Sequence, residues 1–113
     1  MGIAYVSISG AILDANSRFC ELVGHSRETL ASMRFHDLTY EHDLATNLAL
    51  LDDLIEGKIP GYRLEKRYIR SNGELLWADL TVSAIRDETG RPTKLISVVQ
   101  DITRQKATEE RLN

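Results

Sequence analysis

Cysteine is nearly absent: Cys20 stands alone among 113 residues. A single thiol cannot close an internal disulfide or build a cysteine-based zinc site, so the fold must rest on packing, and a reducing, cytoplasmic location is the expectation. Long hydrophobic runs are missing as well. No stretch approaches the roughly 20 apolar residues that a membrane-spanning helix needs, and Met1-Gly2-Ile3-Ala4-Tyr5 lacks the basic lead-in of a secretion signal; no membrane contact is expected, and any anchor of a longer parent would lie elsewhere. There is no excess of basic charge either. With 14 Lys and Arg against 17 Asp and Glu the net charge is −3, which gives no electrostatic reason to approach nucleic acid. The local group Arg63, Lys66, Arg67 and Arg70 alternates with Tyr62, Leu64, Glu65, Tyr68 and Ile69, and reads as mixed charge along an exposed strand. No repeat, low-complexity tract, phosphate-cradling glycine loop or Ser/His/Asp arrangement appears. Asp52 and Asp53, neighbours on a helix, point about 100° apart and read as a solvated face, not an acid/base pair.

What is present is enough for one soluble domain. The chain is 42% apolar and 27% charged, and a domain of this length buries roughly 60 to 65% of its unfolded surface. The segment Ile3 to Ser9 favours a strand, Ser9-Gly10 turns it, and Ala11 to Ala15 completes a hairpin. Asn16 caps a helix carrying Phe19, Leu22 and Val23 that Gly24 stops. Ser26 caps a short helix through Ala31, and another brief turn spans Phe35 to Leu38. Thr39 reads as the cap of the longest helix, with Glu41 and Asp43 in its first turn, a stripe of Leu44, Leu48, Leu51 and Ile55 widened by Leu50 and Leu54, and Gly57 at its end.

From Pro60 the period changes to two. Tyr62, Leu64 and Tyr68 share a face, Asn72-Gly73 signals a type I′ turn, and Leu76, Ala78, Leu80, Val82 and Ala84 alternate with polar residues and Trp77. Asp87-Glu88-Thr89-Gly90 turns again, and Leu95 to Ile102 is a third strand. Strand parity is open by one register, which would exchange the inward residues for Trp77 and Val99. Residues 104–113 are polar and helix-favouring and break off at Asn113 as the start of a longer helix would. Strands, helices, strands in chain order imply an α+β fold: one five-stranded antiparallel sheet with short helices and one long helix on one face.

Residues 2 to 104 resemble a PAS domain, a sensory and interaction module of signalling proteins. The resemblance is carried by Ile12-Leu13-Asp14-Ala15-Asn16 with Phe19 and Leu22-Val23-Gly24, by Tyr40-Glu41-His42-Asp43, by Glu65-Lys66-Arg67-Tyr68-Ile69-Arg70 with Asn72-Gly73 and Trp77, and by Asp101-Ile102-Thr103. It implies a sensory domain over residues 1–103, a signalling helix starting at residue 104, and a multidomain parent with an adjacent output domain such as a histidine kinase or diguanylate cyclase. Asp101-Ile102-Thr103 looks like the family's C-terminal boundary, where Asp101 and Thr103, on one strand face, would hydrogen-bond the outgoing helix as relay or simply as cap.

Haem and flavin are both disfavoured as cofactors, and no metal is expected. The segment resembling the flavin-binding Asn-Cys-Arg-Phe run is Ser32-Met33-Arg34-Phe35, and a thioether at Met33 cannot form a thiol adduct. His42, on the long helix, falls in its first turn and should face solvent instead of an apolar haem cavity. Cys20, beside Phe19, reads as a small buried hydrophobe. A small-molecule pocket, if the interior is not simply filled, would lie between helix and sheet, lined by Leu48, Leu51, Ile55, Leu64, Leu80 and Val82. On the outer face, Leu75, Trp77 and Ile85 form a candidate interaction patch for a homodimer, unless the chain's own helix covers Trp77.

Two functions follow as expectations. One is a non-enzymatic sensory and dimerisation module that shifts the helix starting near Arg104. The other is a purely structural interaction domain that binds nothing. An independent enzyme is disfavoured because no catalytic constellation is visible.

Overall fold

The computed structural model describes residues 1–112; Asn113, the last residue of the expected outgoing helix, lies outside the described residues. Strands β1 (Gly2–Ser7) and β2 (Ile12–Ala15) form the first hairpin. Helices α1 (Ser17–Val23), α2 (Arg27–Leu30), α3 (Phe35–Leu38) and α4 (Glu41–Ile55) follow. Then come β3 (Gly61–Ile69), β4 (Leu75–Arg86), β5 (Pro92–Asp101) and α5 (Thr103–Leu112). The five strands make one sheet in the order β2-β1-β5-β4-β3, antiparallel throughout. The expected α+β architecture is therefore present. None of the described helices is long and apolar enough to cross a membrane.

Local chemistry explains the boundaries. Asn16 is extended, and its Oδ1 accepts from the Phe19 amide at 2.9 Å and from the Ile3 amide at 2.9 Å, so one side chain starts α1 and ties it to β1. Gly24, at φ 77°, ends α1 in the left-handed region that residues with a Cβ avoid. Ser26 caps α2 by accepting from the Thr29 amide.

Two sequence expectations fail at the turns and caps. Thr39 does not cap α4: Tyr40 holds that position without a side-chain cap, and Thr39 is buried, donating its hydroxyl to the Phe35 carbonyl. Asn72-Gly73 is not a type I′ turn, because that turn needs positive φ at both central residues and Gly73 alone has it. The loop is longer: Gly73 N–H donates to Arg70 O, and Arg70 N–H to Glu74 O closes the strands.

α1 and α2 lie over β1 and β2, and α4 lies over β3 and β4. The core between them takes Phe19, Leu22, Val23, Leu30, Leu38, Leu51 and Leu54 from the helices. The sheet adds Ala4, Val6, Tyr68, Leu76, Ala78, Leu80, Val82, Leu95 and Val99. Sheet parity is the one that puts Leu76, Ala78, Leu80 and Val82 inward, with Val99 opposite Leu80 on the same face and Trp77 outward. α4 differs from its expected orientation. Its buried positions are Asn47, Leu51 and Leu54, while Leu44, Leu48, Leu50 and Ile55 are half-buried. At 3.6 residues per turn that is a rotation of roughly 60° from the leucine stripe, and it aims an asparagine into the core.

Replacing Asn16 by Ala should cost about 2 kcal/mol, because a cap and a half-buried tether to β1 are lost together. A denaturant melt showing less than a few tenths of a kcal/mol would refute this account of the α1 start.

Candidate functional site

β3 is an edge strand whose alternation places successive residues on opposite faces of the sheet. Tyr62, Leu64, Lys66 and Tyr68 pair with Val82, Leu80, Ala78 and Leu76, all inward. Lys66 is thus carried into the core, 1% exposed, and the reading of this strand as ordinary surface charge is corrected at that residue. Its Nζ donates to Thr39 Oγ1 at 2.9 Å and lies 5.2 Å from the centroid of Phe35 and 4.6 Å from that of Tyr68. Aromatic faces are weak partners for an ammonium compared with a carboxylate. Burial accordingly pushes the Lys66 amine down to about 7, with Asp43 pulling the other way.

Asn47, 2% exposed on α4, has an Oδ1 with no hydrogen-bond partner among the described residues. Lys66 and Asn47 line one cavity of about 20 Å³ together with Phe35, Tyr62, Tyr68 and Ser97, the remaining wall being aliphatic. Burial raises the Tyr62 phenol to about 12 and the Tyr68 phenol further, so both stay neutral donors. Of the expected pocket residues, Leu51, Leu80 and Val82 line this cavity. Leu48 and Leu64 are half-buried outside it, and Ile55 sits at the helix end beside Gly57, Arg86 and Pro92. The polar members were missed, although the parity that put Tyr62, Leu64 and Tyr68 on the core face also required Lys66 to be there.

Outside the sheet, Arg67 performs a different task. Its guanidinium forms a fork on Asp43, with Nε to Oδ2 and Nη2 to Oδ1 both at 2.9 Å, and stacks on Tyr40 at 4.6 Å and Trp77 at 4.7 Å. Hydrogen bonds from Arg67 hold the Asp43 carboxyl below the usual carboxylate range. Tyr40 N–H donates to the Arg67 carbonyl, and Arg67 N–H to Asp43 Oδ2, so the start of α4 is fastened to the edge of β3.

Trp77 also meets α5. Lys106 Nζ lies 5.0 Å from its ring centroid and pairs with Glu65 and Glu109. Ile102 N–H donates to the Trp77 carbonyl at 2.9 Å, and Trp77 N–H donates to Thr103 Oγ1 at 3.1 Å. Asp101 Oδ1 accepts from the Thr103 amide at 2.9 Å. Thr103 is therefore the first residue of α5 and not, as expected, on the strand face of Asp101. Leu75, Trp77 and Ile85 do share the outer face. Trp77 and Ile85 are half-buried and Leu75 is 42% exposed. His42 is exposed at the start of α4 with its ring against Tyr40, and Cys20 is half-buried against the core.

The buried amine fixes a pH dependence. Its folded value of about 7 lies below the ordinary 10.5, so between these the unfolded chain keeps a proton that the folded chain has lost. Stability should therefore rise with pH from about 7 towards 10, by close to one proton's worth of slope. Lys66→Met should stabilise most at and below pH 7, with the advantage shrinking towards pH 10. Thermal melts across that range check both. A pH-independent gain would mean that the amine is not desolvated.

A family model described as "PAS domain" matches residues 1–104. The chain is 38% identical over 97% of its length to the probable diguanylate cyclase DgcE of Escherichia coli (strain K12), covering 10% of that protein. It is 28% identical over 99% of its length to the sensor histidine kinase TmoS of Ectopseudomonas mendocina, covering 12% of it. The chain thus spans about a tenth of the length of these curated relatives. Among solved structures, a PAS domain from Colwellia psychrerythraea superposes with TM-score 0.84 at 20% identity, over 91% of this chain and 86% of that one. The Drosophila melanogaster Cycle W398A PAS-B domain with bound glycerol superposes with TM-score 0.80 at 14% identity, over 89% of this chain and 99% of the other. With the family model covering the sheet, the helices and the junction to α5, the chain belongs to the PAS domain family.

Proposed function

We propose that these residues form the sensory and dimerisation module of a multidomain signal-transduction protein, with α5 leading to an adjacent diguanylate cyclase or histidine kinase output. Support for a sensory role comes from the relatives, which are signalling proteins of those two kinds. The observation that carries the relay is the lock between α5 and β4. Thr103 Oγ1 and the Ile102 amide engage both backbone groups of Trp77, and the same indole is covered by Arg67 from β3 and Lys106 from α5. A change in how α4 and β3 sit around the cavity alters Arg67, and Arg67 shares Trp77 with the helix. Two arrangements of this stack, biased by contacts at the cavity, would suffice as a switch.

Dimerisation is proposed through the outer sheet face. Leu75, Trp77 and Ile85 stand on it, but its most continuous apolar part is Ile3 and Tyr5 of β1 against Val98 and Ile96 of β5. Apolar residues on an outward face beside an outgoing helix fit a second copy of this chain.

One observation favours the purely structural alternative: a cavity of about 20 Å³ is far smaller than the several hundred Å³, roughly, of an ordinary small-molecule pocket. Native mass spectrometry separates the readings, since a retained small molecule adds mass and a structural module leaves the bare chain.

In the parent protein, Thr103→Ala and Asp101→Ala should change catalytic output at least about twofold while lowering domain stability by only about 1 kcal/mol each. Unchanged output at equal folded fraction sinks the relay. Val98→Arg should convert a dimer to a monomer by size-exclusion light scattering; a wild-type chain already monomeric at high concentration counts against this face.

A further inference from the structure

Lys66 is the largest fully buried side chain among the described residues, and its one hydrogen bond, to Thr39, leaves two of its three donors without a partner there. A buried ammonium needs a carboxylate or must give up its proton. The carboxylate whose field reaches it, Asp43, is already held in a fork by Arg67. Among the described residues the cavity beside the amine has no acidic member; its polar ones are Asn47, Tyr62, Tyr68 and Ser97. We propose that Lys66 is a modification site that takes up carbon dioxide as a carbamate, an assignment whose use as a signal rests on the sensory reading above although its chemistry does not.

Size and polarity select this guest. A space of about 20 Å³ admits a molecule of one to three heavy atoms with slight relaxation, whereas a larger aldehyde or carboxylate must force a close-packed core apart. Carbon dioxide is uncharged, so it crosses the aliphatic wall without shedding a hydration shell. An anion of similar size would have to be desolvated first.

The step balances without a further reagent. The free amine's lone pair attacks the carbon and forms the C–N bond, one C=O π pair moves onto oxygen, and the nitrogen loses a proton to water. Lys–NH2 and CO2 become Lys–NH–COO− and H+. Only the neutral amine reacts, and burial holds Lys66 near the point where much of it is neutral at physiological pH.

The groups facing the amine are consistent with this. Asp43 is committed to Arg67, His36 is itself pushed down by burial, Arg34 and Lys66, and Tyr62 and Tyr68 remain protonated. The carboxylate formed has hydroxyl and amide donors within the same cavity, and Asn47 Oδ1, without a partner among the described residues, can accept the carbamate N–H.

The test uses the wild-type chain equilibrated with carbon-13 bicarbonate at pH 7.5, trapped with triethyloxonium and mapped by peptide mass spectrometry. The expected result is an ethylated carboxyl on Lys66 at an occupancy about a hundredfold or more above Lys58 and Lys106, whose acidic neighbours hold their amines in the protonated form. A carbamate carbon-13 carbonyl resonance should accompany it, grow as pH rises through 7, and vanish in Lys66→Met. No adduct at Lys66, or adducts no more frequent there than on the other lysines, overturns the proposal. If Lys66→Met fails to fold, the mapping on the wild-type chain still decides. Since it needs no output domain, failure here is distinguishable from failure of the relay at Thr103.

Discussion

Everything in this domain depends on β5 finding β1. The pairing sets Gly2 against Val99 and Ser7 against Lys94, so the two ends of the chain close a loop that contains every other strand and four helices. Until it forms, the N-terminal hairpin and the C-terminal meander are separate pieces, neither able to bury its inner face alone. Once it forms, Ala4, Val6, Leu95, Val99, Leu80 and Val82 become one apolar surface on which α1, α2 and α4 can lie. The entropy of closing so long a loop must be met before these contacts exist, which makes this pairing the natural late event of folding.

The second constraint is the double duty of β3. Neighbouring residues on a strand face opposite ways, and here both are cations. Lys66 goes into the core with only a hydroxyl and two rings for company; Arg67 goes out and is satisfied by a carboxylate, a phenol ring and an indole. The difference follows from chemistry. A guanidinium is planar, weakly hydrated and able to stack and fork at once, while an ammonium is a compact charge that burial turns towards the free amine. The strand therefore holds a buried amine inside next to a structural clamp outside.

That clamp is what joins the cavity wall to α5. Thr39, beside Lys66, is followed directly by Tyr40, whose amide donates to the Arg67 carbonyl and whose ring the Arg67 guanidinium covers. Arg67 meets Trp77, and Trp77 is hydrogen-bonded to the first turn of α5. Cavity and outgoing helix are thus linked by a few contacts in direct succession.

Much of this was legible in the residues alone. Asn16, Gly24 and Ser26 state their caps through local chemistry and the period-two run from Tyr62 to Ala84 states its strands, because capping and alternation act over a few neighbouring residues, while Asp101-Ile102-Thr103 marked the junction through its resemblance to the family's boundary motif. The Asn72-Gly73 loop, the cap of α4 and the rotation of α4 were not, since each is set by what lies across the core: Thr39 is drawn inward by Lys66, and Asn47 by the close approach of α4 to β3 and β4. The fate of Lys66 shows the division best. Its parity was written in the sequence, but charge argued for the surface, and only the tertiary structure decided the conflict, since the apolar faces of Tyr62, Leu64 and Tyr68 together gain more from burial than one lysine loses by giving up its proton.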